Sequence, residues 1–193
     1  QEILRRYYTA LCDRRIGVAD DELVYKLETI MQQAKVDLSI RPVVDAAARV
    51  AEETGNPAGA IELPSGEVVT GKTTDLMGAS SSTLLNALKS LAGIDHIHHL
   101  ISREALEPIQ QVKVHHLGSV NPRLHSDEVL IALAISATTN PLAKRALDQL
   151  SALRGCEAHS SVILSPVDSG LYSRLGLRLT CEPQYETNKL YHK

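Results

Sequence analysis

The chain opens with apolar residues at helical spacing and changes to strand-like alternation near residue 58. "EILRRYYTALCDRR" carries the first helical pattern, and two more follow. One covers Asp20–Lys35, with Asp20 or Asp21 as its cap; the other covers Pro42–Thr54 and stops at Gly55 and Pro57. "AGAIELPSGEVVTGK" then reads as a hairpin. Ile61 and Leu63 lie on one arm, Pro-Ser-Gly makes the turn, and Val68 and Val69 lie on the other arm. Ser80–Ala92 is predicted as a helix ended by Gly93, and "HHLIS" as a short strand. Ser102 caps a helix that runs to about His116, and Ser126 with Asp127 and Glu128 begins the next. Because "VLIALAI" is apolar on every face, that helix is expected to be buried. Asn140-Pro141 heads a helix that ends near Gly155. "AHSSVILS" is a strand, Asp168–Leu175 a short helix and "LRLTCEP" a last strand, while the tail "QYETNKLYHK" carries no clear pattern.

Helices interleaved with strands imply an α/β layer sandwich whose mixed sheet has about five strands. The change of period divides the chain into a helical region, 1–57, and an α/β domain, 58–193. The first helical pattern begins with neither a methionine nor an N-cap. Residues 1–57 are therefore expected to be the end of a subdomain whose earlier part precedes this sequence.

Composition removes several function classes. At 193 residues with 44% apolar and 22% charged side chains, the chain has the balance of a globular protein with a sizeable core. No run approaches the roughly eighteen apolar residues of a membrane span, so no membrane association is expected. A net charge of −3 gives no electrostatic footprint for nucleic acid. Phe and Trp are absent, and no Tyr lies between Tyr25 and Tyr172, so a base-stacking platform is not expected either. Cys12, Cys156 and Cys181 are widely spaced and form no C-x-x-C pair, which reads as reduced, mostly buried thiols in a cytoplasmic protein.

Gly66 to Thr73 reads G-E-V-V-T-G-K-T and satisfies the phosphate-loop pattern G-x-x-x-x-G-K-[ST]. Three of its four variable positions, Val68, Val69 and Thr70, are β-branched, however, and favour an extended strand over a loop wrapped round phosphate. Gly66 is better explained as the hairpin's turn glycine, and the helix begins several residues after Lys72. A nucleotide-hydrolysing phosphate loop is therefore not expected. A weaker anion site survives, in which Lys72 and Thr73 lead to a helix start carrying Ser80 and Ser81.

Other polar clusters offer candidate chemistry. In "LGSVNPRLHSDE", Asn121, Arg123, His125 and Asp127 enter an apolar helix through a loop. Arg123 suits a carboxylate or phosphate, and His125 an acid or base. His96 and His98 would share one strand face, where a metal site is one reading and surface histidines the other. "GCEAHSS" places Cys156, Glu157, His159 and Ser160 near one another, with alternation sending His159 and Ser160 to opposite faces. His159 is kept as a binding candidate.

Several long segments occur in order: "AIELPSGEVVTGKTTDLMGASSSTLLNALKSLAGI", "LGSVNPRLHSDEVLIALAISATTNP", "GCEAHSSVILSPVD" and "LTCEPQYETNKLYHK". Together they resemble the C-terminal part of a bacterial family, uncharacterised-protein family 0371 (domain of unknown function 1846). The resemblance covers nearly the whole chain and implies a longer parent protein. It also implies a helical subdomain beside a three-layer α/β/α sandwich similar to the cytidine-deaminase topology. Zinc deaminases carry H-x-E and P-C-x-x-C at the first two helix starts after the hairpin. Here Ala79-Ser80-Ser81 and Arg103-Glu104-Ala105 occupy those regions, so zinc ligation and deamination by that route are not expected.

The functional expectation is a cytoplasmic α/β domain that binds a small anionic metabolite or nucleotide. Its site is expected between Lys72–Ser82 and Asn121–Asp127, and no cofactor is named by the sequence. Lys72, Thr73, Ser80, Ser81, Asn121, Arg123, Asp127 and His159 are the candidate ligand contacts, and His125 is the candidate catalytic group. The expected partners are the protein's own N-terminal region and a second copy in a homo-oligomer. A non-catalytic assembly module and a histidine-based metal enzyme are the alternatives.

Overall fold

The computed structural model describes residues 1–186. Three helices come first: α1 (Glu2–Ile16), α2 (Asp21–Gln33) and α3 (Pro42–Thr54). Asp20 caps α2 by accepting the Leu23 N–H, and α3 ends at Gly55 in the left-handed region. The hairpin β1 (Ala58–Glu62) and β2 (Val68–Lys72) turns at Gly66, whose φ is 85°. After it come α4 (Ala79–Leu91), α5 (Arg103–Gln111), α6 (Ser126–Ser136) and α7 (Pro141–Leu147). The chain then forms β3 (Glu157–Ser160), α8 (Pro166–Leu175) and β4 (Arg178–Cys181).

The strands form one open mixed sheet in the order β2-β1-β3-β4. β1 is antiparallel to both β2 and β3, and β3 is parallel to β4. In this register Ala58 faces Lys72, Gly59 faces Ser160, and Ser160 faces Cys181. The carboxyl ends of β2, β3 and β4 therefore share one end of the sheet.

Side chains alternate across the sheet as a two-residue period requires. Ile61, Val69, Ala158 and Leu179 join the larger core with α4, α6, α7 and α8. Ala60 and Val68 pack on the opposite face with Tyr8 and the Val43, Val44 and Ala47 side of α3. Gly59 and Gly71 are paired across β1 and β2, and they let α4 sit directly on the sheet. A Cβ at Gly71 would lie 2.3 Å from the Thr83 amide nitrogen, and one at Gly59 would lie 2.8 Å from Thr83 Oγ1. The second glycine of the phosphate-loop pattern thus serves helix–sheet packing inside a strand.

Three expectations need correction. "HHLIS" is not a strand, and the sheet has four strands among the described residues. Leu100 and Ile101 are both buried in the core, an adjacent pair of anchors instead of an alternating one. Helix α6 is also not buried all round. Val129, Ala132 and Leu133 face the core, but Ile131 and Ile135 are 61% and 64% exposed. Among the described residues no helix is long and apolar enough to cross a membrane.

Candidate functional site

Loops 73–78, 161–165 and 182–186 leave the carboxyl ends of β2, β3 and β4, the position where open α/β sheets present ligand sites. A fourth loop, 119–125, is tied to the first. Leu124 N–H donates to the Leu76 carbonyl at 2.8 Å, and Met77 forms a bridge with Leu124. Between these loops lies a narrow slot of about 30 Å³. Thr73, Ser80, Asn121, Arg123 and His125 line it together with Ser165, Asp168 and Glu186. Helices α4, α6 and α8 all begin at its wall.

The carboxylate of Asp168 organises the slot. It is buried in the first turn of α8 and accepts from the Ser126 N–H at 2.8 Å, Ser126 Oγ at 2.7 Å and Ser165 Oγ at 2.7 Å. Its Oδ2 lies 2.9 Å from His125 Nδ1. Burial alone would raise the Asp168 carboxyl, but the hydrogen bonds from His125, Ser126 and Ser165 together hold it well below the usual carboxylate range. The same contact raises His125 above its ordinary value, with burial opposing. With Asp168 ionised, the proton the two side chains share sits on His125 Nδ1. An ionised acid that orients a histidine and stabilises its protonated form is the arrangement general acid–base chemistry needs.

A second network fixes the His125 backbone. Its N–H donates to Glu128 Oε2 at 2.7 Å, and the same oxygen accepts from buried Lys113 at 2.7 Å. Lys113 also donates to the Arg123 carbonyl at 2.7 Å. Lys113 reaches both from a π-helical turn, Val112–His116, that continues α5. Arg123 forms an ion pair with Glu186, and Asn121 Oδ1 accepts the Arg123 N–H at 3.1 Å. Thr73 and Ser80 are buried.

The remaining candidates lie elsewhere. Lys72 is exposed and points away from the slot, because strand alternation separates it from Thr73. Ser81 donates to the Leu124 carbonyl at 3.0 Å and serves as a packing link. Asp127 accepts from the Glu128 N–H at 2.8 Å and does not line the slot. His159 is buried on the opposite sheet face, edge-on to Tyr8, with Nδ1 2.8 Å from Thr180 Oγ1 and Nε2 3.2 Å from Glu182. Burial lowers its pKa.

Next to His159, fully buried Arg41 bonds Glu157 Oε2 at 2.9 Å and the Ala158 carbonyl at 3.1 Å, with Thr180 as a further partner. Arg5 pairs with the same Glu157. The residues of "GCEAHSS" are thus spent on a buried structural network, and burial raises the Cys156 thiol. His96, His98 and His99 are exposed in a turn, and no group of three metal-ligating side chains occurs among the described residues.

Asp168 and Ser165 lie outside the polar clusters that the sequence marks as candidates. "SPVD" has the spacing of a capping box, and Ser165 does accept the Asp168 N–H at 3.1 Å. An acid in the first turn of a helix that follows a buried strand is the available signal.

These features define an α/β domain with a mixed sheet and a polar slot at the carboxyl ends of its strands. The chain belongs to the family described as "Domain of unknown function DUF1846, C-terminal", which matches residues 39–191. It is 51% identical over 193 residues to the UPF0371 protein of Corynebacterium diphtheriae, covering 100% of this chain and 39% of that relative. A UPF0371 protein of Streptococcus pyogenes serotype M5 is 48% identical over the same span, with the same coverage. The chain thus spans 39% of the length of these relatives.

Proposed function

We propose that the slot holds the anionic group of a small metabolite or nucleotide and that His125 acts on it as acid or base. The observation that supports this reading is the buried Asp168–His125 pair, opening onto the same slot as Arg123. A guanidinium that already grips the Glu186 carboxylate is a competent anion partner. Hydroxyls at Thr73 and Ser80, which make no hydrogen bond among the described residues, and three helix starts favour negative charge there. A slot of about 30 Å³ has room for only one end of a ligand. The rest of the ligand would lie against walls supplied by the remainder of a parent protein, consistent with a chain spanning 39% of its relatives. An architecture similar to the cytidine deaminases fits this reading through its hairpin followed by α4, without their zinc chemistry.

The reading is tested by melting the intact protein with a panel of nucleotides, sugar phosphates and small carboxylates. At least one should raise the melting temperature in the wild type and not in Arg123→Ala. A panel that shifts neither protein refutes the reading.

A second reading, an assembly surface, is favoured by the exposed Ile131 and Ile135 on α6. The cover would be the protein's N-terminal region or a second copy in a homo-oligomer.

A further inference from the structure

A cavity of about 230 Å³ lies on the outer side of α4 and shares no lining residue with the slot. Ser82, Leu85, Asn86 and Lys89 line it from α4, and their spacing places them on one helix face. Leu100 and Leu106 supply apolar wall, and Lys72 stands at the end of β2.

Two groups there are left short of partners. Ser82 is 8% exposed, and its Oγ has no hydrogen-bond partner among the described residues. The neighbouring hydroxyls are satisfied: Ser81 bonds the Leu124 carbonyl, and Thr83 bonds the Ala79 carbonyl at 2.7 Å. A buried hydroxyl without a partner costs about 1–3 kcal/mol, so its presence in a well-packed helix calls for a reason. Lys89 is 9% exposed. Its ammonium donates to the His96 carbonyl at 2.6 Å and forms no ion pair among the described residues. Two of its three donors therefore remain. No Asp or Glu among the described residues lines the cavity.

We infer that this cavity is a second binding site, for a monocarboxylate with a short apolar body. The carboxylate accepts from Lys89 and Ser82, with Lys72 adding charge at the mouth, and the apolar body lies against Leu85, Leu100 and Leu106. One buried cation and one hydroxyl match the two oxygens of a carboxylate. Without a guanidinium or a row of free backbone N–H groups, the site does not suit phosphate.

Hexanoate titrated into the isotopically labelled intact protein tests the inference, with 1-hexanol as the uncharged control. Saturable amide shifts should be confined to residues 82–89 and 98–101, and hexanol should produce none. Ser82→Ala and Lys89→Met should each weaken hexanoate binding about 10-fold. Ser82→Ala should do so while melting no lower than wild type, since it removes an unsatisfied buried group. If Lys89→Met does not fold, the Ser82→Ala comparison carries the result. Equal binding of hexanol, unchanged affinity in Ser82→Ala, or no saturable shift would overturn the assignment.

Discussion

Replacing Asp168 by Asn tests the centre of the slot. The carboxylate accepts four hydrogen bonds, two at 2.7 Å from Ser126 Oγ and Ser165 Oγ, one at 2.8 Å from the Ser126 N–H and one shared with His125 at 2.9 Å. Asn keeps one acceptor oxygen and turns an NH₂ group towards the other donors, so about two bonds are lost. Hydrogen bonds to a charged group contribute about 1.5–3 kcal/mol each, and breaking a buried pair costs about 3–5 kcal/mol. A loss of about 3–5 kcal/mol is therefore expected in urea unfolding at neutral pH, a large share of a domain's roughly 5–15 kcal/mol.

The pH dependence has two parts. Asp168 is depressed in the fold, so its contribution is present above its unfolded value of about 3.9 and is lost as pH falls towards the folded value. His125 is raised, so its contribution is complete below about 6.5 and is lost as pH rises through the folded value. Wild type should thus lose stability just above about pH 6.5, and Asp168→Asn should not. By NMR, the His125 pKa should fall below its ordinary value in the variant, where burial acts without the carboxylate. An unchanged His125 titration, or a stability loss under about 1 kcal/mol, would rule out a carboxylate that holds this histidine and the helix starts together.

Glu186→Gln frees Arg123 from its competing carboxylate and should tighten binding of an anion in the slot by up to about fivefold, the value of roughly 1 kcal/mol for such a pair, measured by calorimetry. Arg41→Ala removes the fully buried cation from Glu157, which keeps Arg5 as a partner, and should cost about 3 kcal/mol, the low end for breaking a buried pair, in denaturant unfolding. Gly71→Ala drives a methyl into the α4 backbone at Thr83 and should cost at least about 1–3 kcal/mol by the same measurement. Ile131→Glu should leave the monomer's stability within about 0.5 kcal/mol. Light scattering then checks whether the exposed face of α6 holds copies together: a smaller particle supports the assembly reading, and an unchanged one counts against it.

The local elements could be read from the sequence because local chemistry fixes them. Asp20 and Asn140 cap their helices through side-chain bonds, and Gly55 and Gly66 take the positive φ expected of them. The β-branched run Val68–Thr70 forms a strand, which is why the phosphate-loop pattern does not make a phosphate loop. The loop 119–125 was legible as a cluster of functional side chains, but its partners were not. Asp168 is more than forty residues from His125, and its spacing from Ser165 looks like an ordinary cap. Lys72 and Thr73 are neighbours in the sequence, yet one residue of strand alternation sends them to different cavities. "VLIALAI" shows the same limit: apolarity predicts burial, while the number of neighbouring elements decides how much is covered.

In the proposed function, Asp168, His125 and Arg123 form one anion-binding, proton-handling site. The most direct measurement follows the His125 ring by NMR as inorganic phosphate is titrated into wild type and Arg123→Ala. A saturable shift is expected in wild type, with the His125 pKa rising further as a negative charge settles beside it, and neither effect in Arg123→Ala. A His125 ring that ignores phosphate, or responds equally in both proteins, would contradict it.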